Sequence, residues 1–365
     1  MDFRYSTEQS DFRSSLRGLL REAAPMTRVR ELAAAGAYDE PLWRLLCTEM
    51  ELPSLHVPIE YGGSGGTLVD AAIAFEETGR GLVPLPLAAT TFAIQAVLGM
   101  GSADQCSRLL PSLISGERIG SLAAVGPDVA EPSTTAVRAD GRSDFAVLDG
   151  TCSPVLHGAV ADLFVVPAWG EDGPGLYVVE ADAPGVTVEA LPSFDSTRPV
   201  ARLGLEHARA EALAAASPEG VQRLLDVARV LLAAEMLGGA EACLAMSVEY
   251  ARTRMQFGRP IGSFQAVKHS CADMMIEIDA SRVAVMFAAM SAEDTAELSI
   301  AAPLAKAQTA DTFALCAGAA IQVHGGIAFT WEHDLHLYYR RAKTTAALFG
   351  NSTHHRALLA DRAKL

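Results

Sequence analysis

The stretch RTRMQFGRPIGSFQAVKH, Arg252–His269, decides how the rest of the chain is arranged. Gly258 and Pro260 interrupt a long helical pattern, which restarts at Ser263. This spacing predicts a tight corner between two helices. Phe257 places a large apolar side chain inside that corner, with arginines on both sides.

A second stretch, QVHGGIAFTWEHDLHLYYRRAK (Gln322–Lys343), ends another helix at two consecutive glycines. Gly325 and Gly326 can adopt positive φ and allow a ligand to approach the backbone. The turn begins with the amide of Gln322 and then has no large side chain. It can therefore hydrogen-bond the pyrophosphate of a dinucleotide without a clash.

The composition indicates a globular protein of two or three domains. The chain has 365 residues, 50% of them apolar and 20% charged. No window approaches about 18 uninterrupted apolar residues, so we expect no membrane-spanning helix. The amino terminus lacks the apolar run of a signal peptide, and a net charge of −15 opposes nucleic-acid binding. We expect a cytoplasmic protein with neither a membrane nor a nucleic acid as partner.

Cysteine and histidine spacings predict no metal site. The six cysteines are scattered without CxxC spacing, mostly in apolar helical surroundings, and are expected to be reduced core residues. His333 and His336 flank Asp334, and His354 and His355 are adjacent, but no third ligand follows at a typical spacing. We expect these histidines to be solvated or to lie at helix ends.

Hydrophobic periodicity divides the chain into three regions. Residues 1–117 are predicted to be helical, beginning at the capping pattern Ser6–Gln9. Residues 118–215 contain short β-type runs separated by turn residues, which predicts a small antiparallel β domain, a barrel or a sandwich. Residues 216–365 return to helical periodicity and predict an antiparallel bundle of long helices. The predicted fold is mainly α with a central β domain.

The two quoted stretches closely resemble the carboxy-terminal signatures of flavin-dependent acyl-CoA dehydrogenases, in the same order and at a similar separation. The resemblance covers nearly the whole chain. It implies an amino-terminal helical domain, a middle β domain and a carboxy-terminal four-helix bundle with cofactor and oligomer motifs. The glycine-rich segment 58–65 is similar to a family loop, although a simple connector between helices is the alternative. In the middle domain the agreement is weaker, and Glu131-Pro132 resembles a family motif.

The resemblance also implies FAD as the cofactor. In the family, an arginine and a phenylalanine of the corner bind the pyrophosphate and adenosine side, an amide follows, and the glycine turn contacts the ADP moiety from a neighbouring subunit. The matching positions here are Arg254, Phe257, Gln265, Gln322, Gly325 and Gly326. A flavin-free helical bundle could have the same residues, because it also needs corner glycines and an interface phenylalanine.

Both positions that the family uses for its catalytic base lack a carboxylate. An acyl-CoA dehydrogenase needs such a base to remove the proton α to the thioester. Counted from the matching motifs, the positions fall on Ala228 and Phe349, and neither side chain can accept a proton. Glu235 lies on nearly the same helix face as Ala228. It is interpreted either as a buried or interface ion pair or as a relocated base.

The resemblance and the missing base together imply a partner subunit. One branch of the family, in bacteria that degrade sterol side chains, forms mixed tetramers in which one subunit type lacks the base. We expect such a heterotetramer. Its substrate would be an acyl-CoA whose acyl group is bulky and similar to a sterol side chain. Its electron acceptor would be electron-transfer flavoprotein or a similar protein. One alternative is a self-associating, self-sufficient flavoenzyme that uses Glu235. Another is a flavin-free structural or acyl-CoA-binding protein of the same fold.

Overall fold

The computed structural model describes residues 3–124, 126, 137–140, 145–170 and 173–364. The chain forms two compact units, each built from separate parts of the sequence. The helical unit contains Met1–Glu31, Ala72–Val83 and Arg229–Leu365, and the mixed unit contains Leu32–Ala71 and Pro84–Ala228. The predicted boundaries at 117 and 215 mark changes between helical and strand-forming sequence, and as domain boundaries they stay predictions.

Along the sequence, helices come first and last and strands lie between them, which confirms the predicted fold class. The helices are α1 Thr7–Ala23, α2 Met26–Ala35, α3 Glu40–Glu49, α4 Leu68–Arg80, α5 Leu87–Met100, α6 Ala103–Ile114, α7 Pro218–Thr253, α8 Gln265–Met290, α9 Thr295–His324, α10 Leu335–Ala347 and α11 Ser352–Arg362. The strands are β1 Gly120–Leu122, β2 Val137–Asp140, β3 Phe145–Leu156, β4 Leu163–Gly170, β5 Gly173–Glu180, β6 Val186–Leu191, β7 Val200–Ala212, β8 Met255–Gln256 and β9 Arg259–Pro260.

The mixed unit contains a sheet with the strand order β1-β4-β2-β3-β7-β5, and β6 pairs with β7. Because β4 also pairs with β5, the sheet closes into a small barrel. Most neighbouring strands are antiparallel, as predicted, but β4 is parallel to β1 and β2. The barrel core includes Val155, Phe164, Val166 and Leu203. Glu131 and Pro132 lie outside the described residues.

The predicted helix start at Ser6 is confirmed by its cap, and α11 also begins with a side-chain cap. Ser6 and Gln9 exchange side chain-to-backbone hydrogen bonds of 3.1 and 3.2 Å at the start of α1. Asn351 accepts a 2.9 Å bond from the amide of His354 at the start of α11. Asp334 precedes α10 but does not cap it with its side chain; its carboxylate pairs with Arg30 at 2.7 Å.

Two helical stretches among the described residues are long and apolar enough to cross a membrane: Pro218–Thr253 and Thr295–Phe329. Within the protein, 78% of the apolar window of the first and 39% of that of the second are buried. A core helix has the same length and composition, so the finding is weak evidence for a membrane span. The smaller buried share of the second stretch reflects exposed apolar residues on α9, such as Leu304 and Leu315.

In the helical unit, two glycines let α4 and α7 cross in backbone contact. A Cβ atom on Gly238 would lie 1.9 Å from the carbonyl oxygen of Glu76. A Cβ atom on Gly79 would lie 2.3 Å from the carbonyl oxygen of Glu235. Since the obstructing atoms belong to helix backbones, any larger residue at either position must push the helices apart.

Charged side chains surround this crossing. Glu76 and Glu77 of α4 are only 1% and 2% exposed. Arg13 of α1 binds both carboxylates, and Arg282 of α8 lies 3.3 Å from an oxygen of Glu76. Arg282 also contacts Glu241 of α7. Because buried charges are costly unless they are paired, this network ties the four helices to one arrangement.

Gly238→Ala is expected to destabilise the helical unit by about 1–3 kcal/mol, because the added methyl group must separate α4 from α7. Thermal unfolding of the purified chain measures the effect. Gly99→Ala is the matched control, since Gly99 also lies in a helix but its Cβ position meets no described atom within 4 Å. That variant is expected to gain about 0.5–1 kcal/mol. Equal unfolding midpoints for the two variants would contradict the close crossing.

Candidate functional site

The carboxyl ends of α7 and α9 meet in the helical unit. The ring of Tyr250 stacks on His324, with centroids 4.3 Å apart and planes inclined by 20°. Tyr250 lies one turn before Arg254, whose amide donates a 2.8 Å bond to the Tyr250 carbonyl. His324 directly precedes Gly325. The corner (residues 255–260) and the Gly-Gly turn (residues 325–326) are therefore neighbours at one end of this unit.

The corner is a β-hairpin with a two-residue loop. β8 and β9 pair directly, which leaves Phe257 and Gly258 as the loop, with φ values of +52° and +76°. Positive φ at both loop positions is typical of a type I′ turn. The hairpin is fixed to the end of α7 by a 2.8 Å bond from the amide of Ile261 to the carbonyl of Arg254.

Phe257 adopts a strained conformation without the compensation of burial. A residue with a side chain costs roughly 1–2 kcal/mol in the left-handed region. The Phe257 side chain is nevertheless 91% exposed and makes an edge contact with Phe264 at a centroid distance of 6.0 Å. Strain of this kind is concentrated at ligand-binding positions. The hairpin thus holds an aromatic ring out where a ligand can contact it.

The Gly-Gly turn leaves its backbone accessible. Gly325 has φ +65° and ψ −143°, a conformation suited to glycine, and Cβ atoms built on Gly325 or Gly326 meet no described atom within 4 Å. Gln322 is exposed one turn earlier. With the exposed Arg254 and Phe257, the surface offers a guanidinium, an aromatic ring, an amide and open backbone. These groups fit the phosphates and the adenine of a dinucleotide such as FAD.

The other predicted cofactor residue, Gln265, is the exposed first residue of α8 and follows the corner. All six predicted positions therefore lie in the helical unit, and three of them, Phe257, Gly325 and Gly326, belong to the corner and the Gly-Gly turn. Their contact with FAD stays a prediction.

The two positions predicted for the family base are buried. Ala228 and Phe349 are both 0% exposed. Phe349 lies in the turn between α10 and α11 with φ +55°, and its ring packs inside the protein. Neither residue can exchange a proton with a substrate.

Glu235 forms a buried ion pair. Its Oε1 atom lies 3.0 Å from Nη1 of Arg341 and 3.5 Å from the hydroxyl of Thr345. Glu235 and Arg341 are 6% and 4% exposed. A carboxylate held in this way by a buried guanidinium is poorly placed to take a proton from a substrate. The geometry favours the ion-pair interpretation over a relocated base.

Glu235→Gln is expected to destabilise the chain by about 3–5 kcal/mol, because it leaves the buried charge of Arg341 without this counter-ion. The control, Asp311→Asn, breaks the exposed ion pair of Asp311 with Arg356; these side chains are 49% and 58% exposed, respectively. That change is expected to cost at most about 1 kcal/mol. Thermal unfolding compares the two variants. A Glu235→Gln chain as stable as the control would argue against the structural role of the pair.

A buried imidazole lies against the turn that contains Phe349. His355 is 0% exposed, and a Cβ atom on Gly350 would lie 3.2 Å from its Cε1 atom. Burial, followed by the nearby charges of Lys306 and Arg229, lowers the pKa of His355 to about 2. The ring is therefore neutral at physiological pH.

The lowered pKa of His355 predicts loss of stability in acid. Since the folded-state pKa of about 2 lies below the usual 6.5, the unfolded chain binds the proton first as the pH falls below 6.5. Stability then decreases by at most about 1.4 kcal/mol per pH unit from this group. His355→Phe is expected to flatten the dependence of the unfolding midpoint on pH between 6.5 and 4. His269→Phe, at an exposed position of α8, is the control and should leave the slope unchanged.

Sequence reasoning missed the ring contacts between Tyr250, two residues before the first quoted stretch, and two histidines of the second. His333, expected to be solvated or to lie at a helix end, lies two residues before α10, and its ring also makes an edge contact with His324 at a centroid distance of 4.7 Å. The signal available in the sequence was an aromatic residue one turn before Arg254 and a histidine directly before the glycines. Among the described residues, no group of three or more His, Cys, Asp or Glu side chains could hold a metal ion.

Comparison with known families identifies the fold. The pattern of the acyl-CoA dehydrogenase amino-terminal domain matches residues 6–117, and that of the carboxy-terminal domain matches residues 219–364. The chain belongs to the acyl-CoA dehydrogenase family. Members of this family are oxidoreductases that act on CH–CH bonds, and the homologues of this chain within the family are FAD-dependent flavoproteins. The predicted family is confirmed.

Individual relatives align over nearly the whole chain. Acyl-CoA dehydrogenase IpdE2 of Mycobacterium tuberculosis is 36% identical over 342 residues, 93% of this chain and 92% of IpdE2. Acyl-CoA dehydrogenase FadE34 of the same bacterium is 36% identical, over 94% of this chain but 46% of FadE34. A chain in the ChsE4-ChsE5 complex from Mycobacterium tuberculosis is 30% identical with a TM-score of 0.91, covering 100% of this chain and 99% of that one. A chain of the Tcur3481-Tcur3483 steroid ACAD is 33% identical with a TM-score of 0.89, covering 98% of both.

Proposed function

We propose that this chain is a non-catalytic subunit of an acyl-CoA dehydrogenase, and that a second, related chain completes its FAD site and supplies the base. One observation carries the proposal. Both family base positions, Ala228 and Phe349, are buried and apolar, while the corner and the Gly-Gly turn are exposed and intact. A chain with binding groups but no base suits a subunit that holds part of a cofactor for another chain.

Relatives support a paired arrangement. The chain aligns with only 46% of FadE34, which leaves room in that protein for a second unit of similar size. Two similar structures carry the names of two components, ChsE4-ChsE5 and Tcur3481-Tcur3483. Because the latter is called a steroid ACAD, we propose a bulky, steroid-like acyl-CoA as the substrate.

In this assembly the residues of the present chain bind but do not react. Arg254 pairs with phosphate oxygens, Phe257 packs against the adenine, and Gln322 and the amides of the Gly-Gly turn hydrogen-bond the pyrophosphate. These are the contacts that the residues would make with bound FAD, which would supply the hydride acceptor of the reaction. The carboxylate that removes the α proton belongs to the second chain. We propose a cytoplasmic enzyme with electron-transfer flavoprotein or a similar acceptor as a further partner.

Co-expression tests the proposal. The chain is purified alone and together with an acyl-CoA dehydrogenase-like protein encoded beside its gene, and the flavin spectrum and native mass of each sample are measured. We expect FAD and a stable tetramer only in the mixture, with fewer flavins than chains. A yellow homo-oligomer of this chain alone, with one FAD per chain, would contradict the partner role. A mixture that forms a complex without flavin would favour a structural function.

Phe257→Asn separates the binding role of the corner from its stability. Asparagine suits a type I′ turn, so the variant is expected to stabilise the isolated chain by about 1 kcal/mol. It should nevertheless weaken FAD retention by the complex, because the exposed ring is lost. His207→Asn is the control, since His207 has φ +51° at an exposed position of the mixed unit. Dialysis followed by flavin absorbance gives the retention, and equal retention in the two variants would argue against a cofactor contact of Phe257.

A further inference from the structure

Three rings connect the end of α7, which carries the corner, to the loop that contains the Gly-Gly turn. Tyr250, near the end of α7, stacks on His324 at 4.3 Å. The edge of His333 packs on His324 at 4.7 Å, with the planes inclined by 64°. His324 immediately precedes the Gly-Gly turn, and His333 lies at the far end of the loop that follows it. This Tyr250–His324–His333 stack thus contacts the loop at both of its ends.

Hydrogen bonds fix the orientation of both imidazoles. Nδ1 of His324 lies 2.8 Å from the carbonyl oxygen of Ala320. Because a carbonyl only accepts, that nitrogen carries the proton. The amide of Leu335 donates a 3.2 Å bond to Nδ1 of His333, so the second ring has the opposite tautomer. Burial lowers the pKa of both side chains, and both rings are neutral at physiological pH.

Arg30 of α2 adds a second anchor at the far end of the loop. Its Nε atom lies 2.7 Å from Oδ1 of Asp334, and its Nη1 atom lies 2.6 Å from the carbonyl oxygen of Trp331. The guanidinium of Arg340 lies over the Trp331 ring at 4.9 Å. The loop therefore has little freedom at its far end. At the near end, its position relative to α7 depends on the contact between Tyr250 and His324.

We infer that the Tyr250–His324–His333 stack positions the cofactor-binding surface by holding the Gly-Gly turn at a set distance from the corner. The inference rests on the proposed function. Glycines lose more conformational freedom than other residues when they are ordered. A turn ordered only on binding would lower the affinity by that entropy, and the stack removes this cost in advance. The three rings act through the corner and the turn, as positioning residues without contact to the reacting atoms.

Replacement of Tyr250 tests the inference. Tyr250→Leu removes the stacked ring, and Tyr250→Phe keeps it and serves as the conservative control. Amide hydrogen exchange of residues 325–329 is measured on each purified chain, and FAD dissociation is measured on each complex with the partner chain. For Tyr250→Leu, both rates are expected to rise roughly twofold to tenfold, the range for loss of one aromatic pair. Tyr250→Phe is expected to leave both rates at the wild-type value.

The outcomes separate the stack from the proposed function. Unchanged FAD dissociation from a folded Tyr250→Leu complex overturns the positioning role, even when the melting temperature falls, and leaves the proposed function intact. Unchanged exchange of the loop amides overturns it as well. A wild-type complex without FAD overturns the proposed function and, with it, the cofactor role of the stack. Should Tyr250→Leu fail to fold, His333→Leu at the half-buried end of the stack is expected to change both rates in the same direction.

Discussion

The backbone contact between α4 and α7 at Gly79 and Gly238 is the constraint on which the helical unit depends. With no space for side chains at the crossing, the helices cannot interlock apolar residues there, and the charged groups around it determine the arrangement instead. Glu76 and Glu77 are almost completely buried, so their arginine partners on other helices are required for folding. A helix from the first third of the sequence is in this way fixed to α7.

The same crossing explains why a glutamate lies on an apolar helix face. Glu235 packs its backbone and side chain against Gly79, and its carboxylate meets Arg341 of α10. Arg341 is itself buried, so a neutral residue at position 235 would remove a negatively charged partner from a buried cation. Arg341, which lies in the segment RRAK at the end of the second quoted stretch, thus has a structural role in the helical unit. Proton transfer is not needed to explain this carboxylate.

Local features of the structure could be predicted from the sequence, whereas contacts between distant residues could not. The cap at Ser6 could be predicted because capping depends on neighbours within one turn. The parallel pairing of β4 with β1, the discontinuous helical unit and the contact of Tyr250 with His324 join distant residues and leave no periodic signal. The corner was predicted from Gly258 and Pro260, but its left-handed phenylalanine was not, since that side chain opposes the conformation. The resemblance predicts which residues contact the cofactor, and the structure shows how those residues are held.

Two phenylalanines with left-handed backbones differ in how their strain is compensated. Phe349, at a position that the resemblance assigns to the family base, is 0% exposed, so burial of its ring offsets the strain. Phe257 has the same strain at 91% exposure, and the isolated chain gains no comparable burial from it. The cofactor contact that we propose for Phe257 would supply the compensation that burial does not. In the proposed assembly, the strained corner would serve cofactor binding, while the apolar side chain at position 349 would leave proton transfer to the second chain.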